Sequence, residues 1–210
     1  MRILYQHRTA SADAQAVHID EMVGALRSLG HEVRVVGPAR QAEGMGASIG
    51  WVSRLKSALP KGLYELLELG YSFVALGRIA RAVGQFRPDV IYERYNLFLL
   101  SGLMAKRCFR LPLLLEVNSP LLHERSRGDG IALARLARWA VRSAWRGADR
   151  VLPVTHALSA YVLASDVPIE RVIVVSNGVN VAHFAKAPIA DEAKARLGLA
   201  GRLVLGFTGF

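Results

Sequence analysis

The sequence predicts a doubly wound α/β domain built on a mostly parallel sheet, and three observations lead there. Six short runs rich in β-branched and aliphatic residues alternate with helix-patterned segments, the order that a parallel sheet with helical crossovers requires. The joints are short and end in turn residues, as at Gly30 and at Arg87-Pro88-Asp89. Finally, the composition is globular: 52% hydrophobic and 21% charged residues in 210, with no low-complexity tract or short repeat. That supplies the core of one full domain and leaves a fragment of a second.

Taken in order, Arg2 to Tyr5 reads as the first strand and is followed by a polar loop from Gln6 to about Asp13. Ile19, Met22, Val23, Leu26 and Leu29 recur at helical spacing until Gly30 stops them, and Val33 to Val36 is the second strand. This β-α-β unit lacks any glycine in its first loop, which argues against a dinucleotide-binding dehydrogenase. Gly37 to Pro60 is loop-like, with Trp51, Val52 and Leu55 beside Arg54 and Lys56. Lys61 to Phe86 is apolar and helical, and Val90 to Tyr92 is the third strand. A helix over Leu97–Arg107 leads to the fourth strand, Leu113–Val117, which Asn118-Ser119-Pro120 ends. After another polar loop come a helix over Ile131–Arg146, a fifth strand over Val151–Val154 and a short helix near Ala157–Ala164. Ile173 to Val175 has the composition of a sixth strand buried on both faces, closed by Ser176-Asn177-Gly178.

Charge narrows the partners. Twenty-seven Lys and Arg against 17 Asp and Glu give +10 and a pI near 10.3, which favours phosphate groups, acidic lipid surfaces or nucleic acid. No zinc-finger spacing or RNA-binding run of aromatic and basic residues supports nucleic acid. The single cysteine, Cys108, excludes an internal disulfide framework and any multi-cysteine metal site, and its apolar surroundings suggest a buried, inert thiol. No His/Asp/Glu spacing suggests a metal. With no signal-peptide pattern at Met1–Arg8 and no apolar run near the roughly 20 residues of a membrane span, the expected location is cytoplasmic, with peripheral membrane contact open.

In doubly wound sheets ligands bind beyond the carboxyl ends of the strands. The residues there are polar: His7-Arg8, Glu93-Arg94, Asn118 with His123-Glu124-Arg125, Thr155-His156 and Ser176-Asn177. His18, at the start of the first helix, reads as a hydrogen-bonded, partly buried histidine, with an acceptor contact as the alternative. Glu93 and Arg94 form either a strand-end ion pair or a phosphate-facing arginine beside a hydroxyl-binding carboxylate. On the helix Ile131–Arg146, Arg135, Arg138, Arg142 and Arg146 share one face, and Leu133, Ala137, Ala140 and Ala144 form the other. Trp139 and Trp145 flank the arginines, and no acidic residue lies between Asp129 and Asp149. That pattern suits an anionic membrane surface, which Trp51 to Lys56 could extend. A solvated outer face, usually mixed in sign, is the plainer alternative, and the acid-free row favours the membrane.

Several segments resemble the family 4 glycosyltransferases. Asn177-Gly178-Val179-Asn180 with Phe184 is similar to the "NGV(D/N)xxxF" segment that closes their N-terminal domain. Leu29-Gly30-His31-Glu32-Val33, Asp89-Val90-Ile91-Tyr92-Glu93-Arg94 and Ala148-Asp149-Arg150-Val151 resemble three further joints, and all occur in the family's order. The resemblance implies a Rossmann-like domain, the N-terminal half of a GT-B fold, over residues 1–184. It implies a linker over 185–202 and, at 203–210, the first strand of a donor-binding domain. The implied activity is transfer of a sugar, with retention, from a nucleotide-sugar to a glycan or lipid-linked glycan. No cofactor is needed beyond that donor, which the C-terminal half chiefly grips, including a glutamate pair spaced "E-x7-E". Candidate cleft residues are then Arg8, His18, Glu93, Arg94, Asn118, His123, Asn177, Gly178, Thr208 and Gly209.

The sequence departs from the family in two places. Arg8 stands in a first loop without the usual glycines, and Asn118 stands where members often carry a histidine. Asn can hydrogen-bond a hydroxyl but cannot titrate near neutral pH. The 210-residue chain by itself is expected to be inactive. A non-catalytic α/β module for a phosphorylated or glycosylated ligand is the alternative, and a GT-B epimerase or phosphorylase is a third class.

Overall fold

The computed structural model describes residues 1–9, 14–38, 58–178, 181, 185 and 187–206. They fall in two compact units, Met1–Gly178 and Val179–Phe210.

The first unit is the expected α/β domain. Strands β1 (Arg2–Gln6), β2 (Glu32–Val36), β3 (Val90–Arg94), β4 (Leu113–Val117) and β5 (Arg150–Pro153) form one sheet in the order β2-β1-β3-β4-β5. All four pairings are parallel. The order reverses between β1 and β3, so the switch point, where ligands of such sheets bind, lies at the ends of those two strands. Helices α1 (Ala14–Ser28), α2 (Lys61–Phe86), α3 (Ser101–Phe109), α4 (Leu121–Arg127), α5 (Ala134–Gly147) and α6 (His156–Leu163) supply the crossovers and the surrounding layers.

Period-2 alternation divides the core in two. Ile3, Tyr5, Val90, Tyr92 and Leu152 face α1, where Ile19 and Val23 meet them. Leu4, Ile91, Leu113, Leu115, Val117 and Val151 face the other way, onto Ile79, Leu103 and the small face Ala137, Ala140 and Ala144 of α5. Gly30, at φ 82°, ends α1 in the left-handed region that a side chain resists.

Four local expectations change. The loop after β4 contains a helix, α4, which starts at Leu121 immediately after Pro120, a residue suited to helix starts. The helix after β3 begins at Ser101 instead of Leu97, because Asn96–Leu99 make a turn whose Phe98 has φ 65°. Cys108 is exposed: it falls on the outer side of α3, while Leu103 and Ala105 take the inner one. The sixth apolar run is not a strand. Val172 makes an isolated parallel bridge to Val151, the N–H groups of Ile173 and Val175 donate to Val151 and Pro153 carbonyls, and Ile173 stays 48% exposed. It lies along the edge of β5, where Val175 is left 36% exposed as well.

In the second unit, α7 (Ala190–Arg196) ends at Gly198, φ 69°. Leu203–Gly206 takes up no regular secondary structure, and Leu203 and Leu205 are about 90% exposed. Trp51–Lys56, Val179, Asn180, Phe184, Thr208 and Gly209 lie outside the described residues.

Candidate functional site

The site grows from one strand pair. Arg94 of β3 sits in register with Glu116 of β4, and its Nη1 donates to Glu116 Oε1 at 2.9 Å. Glu116 is the one acid in the apolar run Leu113–Val117, and it gathers donors from β3, α1 and the loop after β4. His18 of α1 approaches Oε1 at 3.1 Å. A carboxylate only accepts, so the His18 Nε2 carries the proton in this contact. The Tyr92 hydroxyl donates to Oε2 at 2.9 Å, and the Asn118 amide donates to Oε1. Burial alone would raise the Glu116 pKa, but hydrogen bonds from His18 and Asn118 and the charges of His18 and Arg94 hold it below the usual carboxylate value. Tyr5 stacks on Tyr92 with ring centroids 5.0 Å apart. Burial, and then the negative charge of Glu116, push both phenols upward, so both stay protonated and Tyr92 remains a donor to Glu116.

A second carboxylate works in the same way. Glu68 of α2 takes Arg125 of α4 at 2.6 Å and Arg8, beyond β1, at 3.5 Å. The Arg8 guanidinium also lies over the Tyr71 ring, 5.2 Å from its centroid. Arg125 lies over Phe98 at 5.7 Å. Two glutamates thus hold three arginines in fixed places around the end of the sheet.

Between them is a cavity of about 460 Å³ at the β1/β3 switch point, lined by Arg8, His18, Arg94, Asn118, Arg125 and Asn177 among others. Among the described residues no carboxylate lines it. Arg8 Nη1 and Asn118 Oδ1, both on residues of its lining, are buried without a hydrogen-bond partner, as is the hydroxyl of Tyr95, which also lines it. Orphaned buried polar atoms are costly and rare, and here all three belong to residues that line an open cavity. The arrangement offers a cationic rim, an amide oxygen and an imidazole already fixed by Glu116. It suits recognition of an anionic, hydroxyl-rich ligand better than proton abstraction. Among the described residues no cluster of three or more His, Cys, Asp or Glu is placed to hold a metal ion.

Of the sequence candidates, Arg8, His18, Arg94, Asn118 and Asn177 come together here. His18 is the hydrogen-bonded, partly buried histidine expected of it, and it lines the cavity as well. Glu93 does not join them. Alternation turns it to the opposite side of the sheet from Arg94, where Ser101 Oγ and the Gly102 N–H donate to Oε2 at 2.9 and 2.8 Å. It neither pairs with Arg94 nor lines the cavity; it caps the first turn of α3. Burial pushes it up to about 7 against the opposing pull of those two donors. His123 lies outside the cavity lining, packed edge-on against Tyr161 at 4.7 Å. Gly178 is exposed and has no neighbouring atom within 4 Å of where a Cβ would stand.

On α5, Arg135, Arg138, Arg142 and Arg146 are exposed and Trp139 is 54% exposed, as the helical spacing requires. Trp145 corrects the expectation: it is buried against Tyr95, ring centroids 5.5 Å apart, because its position falls on the sheet-facing side with Ala144 and Val141. Sequence reading passed over Glu68 and Glu116. The visible signal for Glu116 was a lone acid inside an otherwise aliphatic strand, which must find partners when buried.

A model of the glycosyl transferase 4-like domain matches residues 14–178. No curated protein matches the sequence. Solved structures do match in fold. HepE from Anabaena, crystallised with UDP and glucose, is 17% identical and superposes with a TM-score of 0.61 over 95% of this chain and 51% of its own. The same protein with UDP-glucose gives 15% identity and 0.54, over 96% and 50%. A glycosyltransferase from Rickettsia africae gives 14% and 0.51, over 95% and 50%. This chain therefore spans about half the length of those structures, with a Rossmann-like sheet of the kind found in GT-B glycosyltransferases. The match covers β2 to β5, the helices between them and the polar residues gathered at their ends, and on that ground the chain belongs to the glycosyl transferase 4-like domain family.

Proposed function

We propose that this domain forms the acceptor side of a glycosyltransferase cleft. The reaction is transfer of a sugar from a nucleotide-sugar to a glycan or lipid-linked glycan, with retention at the anomeric carbon. The observation that carries the reading is the cavity at the β1/β3 switch point, with its three carboxylate-held arginines and the two orphaned atoms of Arg8 and Asn118. Family membership supports the reaction class. UDP and UDP-glucose in crystals of a fold neighbour support a nucleotide-sugar donor. Arg8, Arg94 and Arg125 would draw in phosphate oxygens, and Asn118 and Asn177 would hydrogen-bond sugar hydroxyls.

In this reading the 210 residues hold one wall of the cleft and turn over no donor alone. Positioning both reactants supplies roughly 7–11 kcal/mol of such a barrier, and one wall cannot supply it. The test is calorimetric titration of the chain with UDP, UDP-glucose and a diphosphate-linked glycan. The glycan binds, and Arg8→Gln and Arg125→Gln each weaken it about tenfold, the cost of one charge-assisted contact. No binding, or binding indifferent to both substitutions, refutes the assignment. Turnover of nucleotide-sugars at enzymatic rates refutes the one-wall reading.

A further inference from the structure

Outside the polar cavity, one surface of the first unit is both apolar and strongly cationic. An open groove of about 1050 Å³ runs between α2, α3 and α5. Leu69, Phe73, Leu100, Leu103 and Met104 line it, with Arg107, Arg135, Arg138, Arg142, Arg146 and Trp139 beside them. Among the described residues, the carboxylate within 4 Å of this arginine row is Asp166, 3.8 Å from Arg142, with both side chains well exposed.

The apolar side continues past the groove. Leu63, Leu66, Leu67, Phe73 and Val74 of α2 are 46–67% exposed, at the spacing of one broad helical face. Between Leu63 and Val74 the charged residues of α2 are Glu65 and Glu68, and tertiary structure turns both inward. Glu65 is fully buried and accepts the Ala132 and Leu133 N–H groups at the start of α5. Glu68 holds Arg8 and Arg125. The outer face of α2 is left without charge over this stretch, next to a row of arginines.

We infer that this joined face of α2 and α5 docks on an anionic phospholipid bilayer. Contiguous exposed apolar surface on a soluble fold marks an interaction site. The rows match the layering of a bilayer edge: aliphatic and aromatic groups for the acyl boundary, a half-exposed tryptophan for the interface and arginines for the phosphates. Charge complementarity selects this occupant. A second copy would bring its own arginines and a net +10 against these. An acidic protein would satisfy the arginines but does not call for the uncharged helical face beside them. The inference stands on this surface alone and does not depend on the proposed reaction.

The experiment is co-sedimentation of the 210-residue chain with phosphatidylglycerol-rich and with pure phosphatidylcholine vesicles. Three variants are compared: Arg135, Arg138, Arg142 and Arg146→Gln; the same four→Lys; and Phe73→Ser with Leu67→Ser. The wild type and the Lys variant bind the anionic vesicles. The Gln variant binds on the order of 600-fold more weakly, at about fivefold for each of the four arginines. The Ser variant loses binding that persists in 1 M salt, where the screening length is about 3 Å. Circular dichroism melts check folding, and should the Gln variant fail to fold, the salt dependence of the wild type and the Lys variant decides. Equal binding to neutral vesicles, or equal binding by wild type and Gln variant, overturns the inference. So does a lipid-free dimer abolished by the Ser variant, or an oligonucleotide held by the arginines more tightly than lipid.

Discussion

Replacing Glu93 by glutamine should change how stability depends on pH. Glu93 is 2% exposed, and its pKa is raised from 4.5 to about 7 by burial. A carboxyl group with a raised folded pKa contributes stability that is fully present below the unfolded pKa and is lost as pH rises through the folded one. Integrating between those two values, the parent loses about 2.5 kcal/mol from this group between pH 5 and pH 8. Glutamine mimics the protonated acid. Its oxygen still accepts from Ser101 and Gly102, and it carries no charge to desolvate. All other titrating groups are common to both proteins and cancel in the difference. Urea unfolding of parent and Glu93→Gln at several values from pH 5 to 8 gives the difference curve directly. It should move in favour of the variant by about 2.5 kcal/mol, with the steepest part below pH 7. Parallel curves, with a difference that does not change with pH, would refute the reasoning and show that Glu93 is ionised throughout.

Glu116→Ala should destabilise the first unit by about 3–5 kcal/mol in denaturant unfolding, because it leaves the Arg94 guanidinium buried and unpaired. Glu116→Gln should flatten the acid limb of stability. The depressed Glu116 pKa contributes stability above the ordinary value of 4.5 that is lost as pH falls, and the variant lacks it. Gly102→Ala would place a Cβ 2.7–2.8 Å from the Glu93 carboxyl group; a melt should show a loss of about 1–3 kcal/mol. Deleting residues 179–210 should leave the melting of Met1–Gly178 nearly unchanged, since the two units are separately compact. It should also raise solubility by removing exposed Leu203 and Leu205. A large drop in melting temperature would contradict this.

The alternation of aliphatic runs with helical segments was enough to predict a parallel α/β sheet, because both periodicities are local and each helix or strand writes its own. The end of the sheet that carries polar residues was legible for the same reason, as was the outward arginine row of α5. Strand order was not legible. It is set by which edges meet across tens of residues, and it alone places Arg94 beside Glu116 and both within reach of His18. Glu93 and Arg94, read from the sequence as an ion pair or as neighbouring ligand contacts, part because successive strand residues face opposite sides of the sheet; only the assembled layers decide that Glu93 meets α3 and Arg94 the α1 side. Likewise, nothing local assigns Glu68 to Arg8 and Arg125, which come from distant loops and meet it only through packing. Trp145 and the Ile173–Val175 run depart from the sequence reading because burial depends on what covers a residue: α5 turns Trp145 onto Tyr95, whereas Ile173, along the edge of β5, stays half exposed.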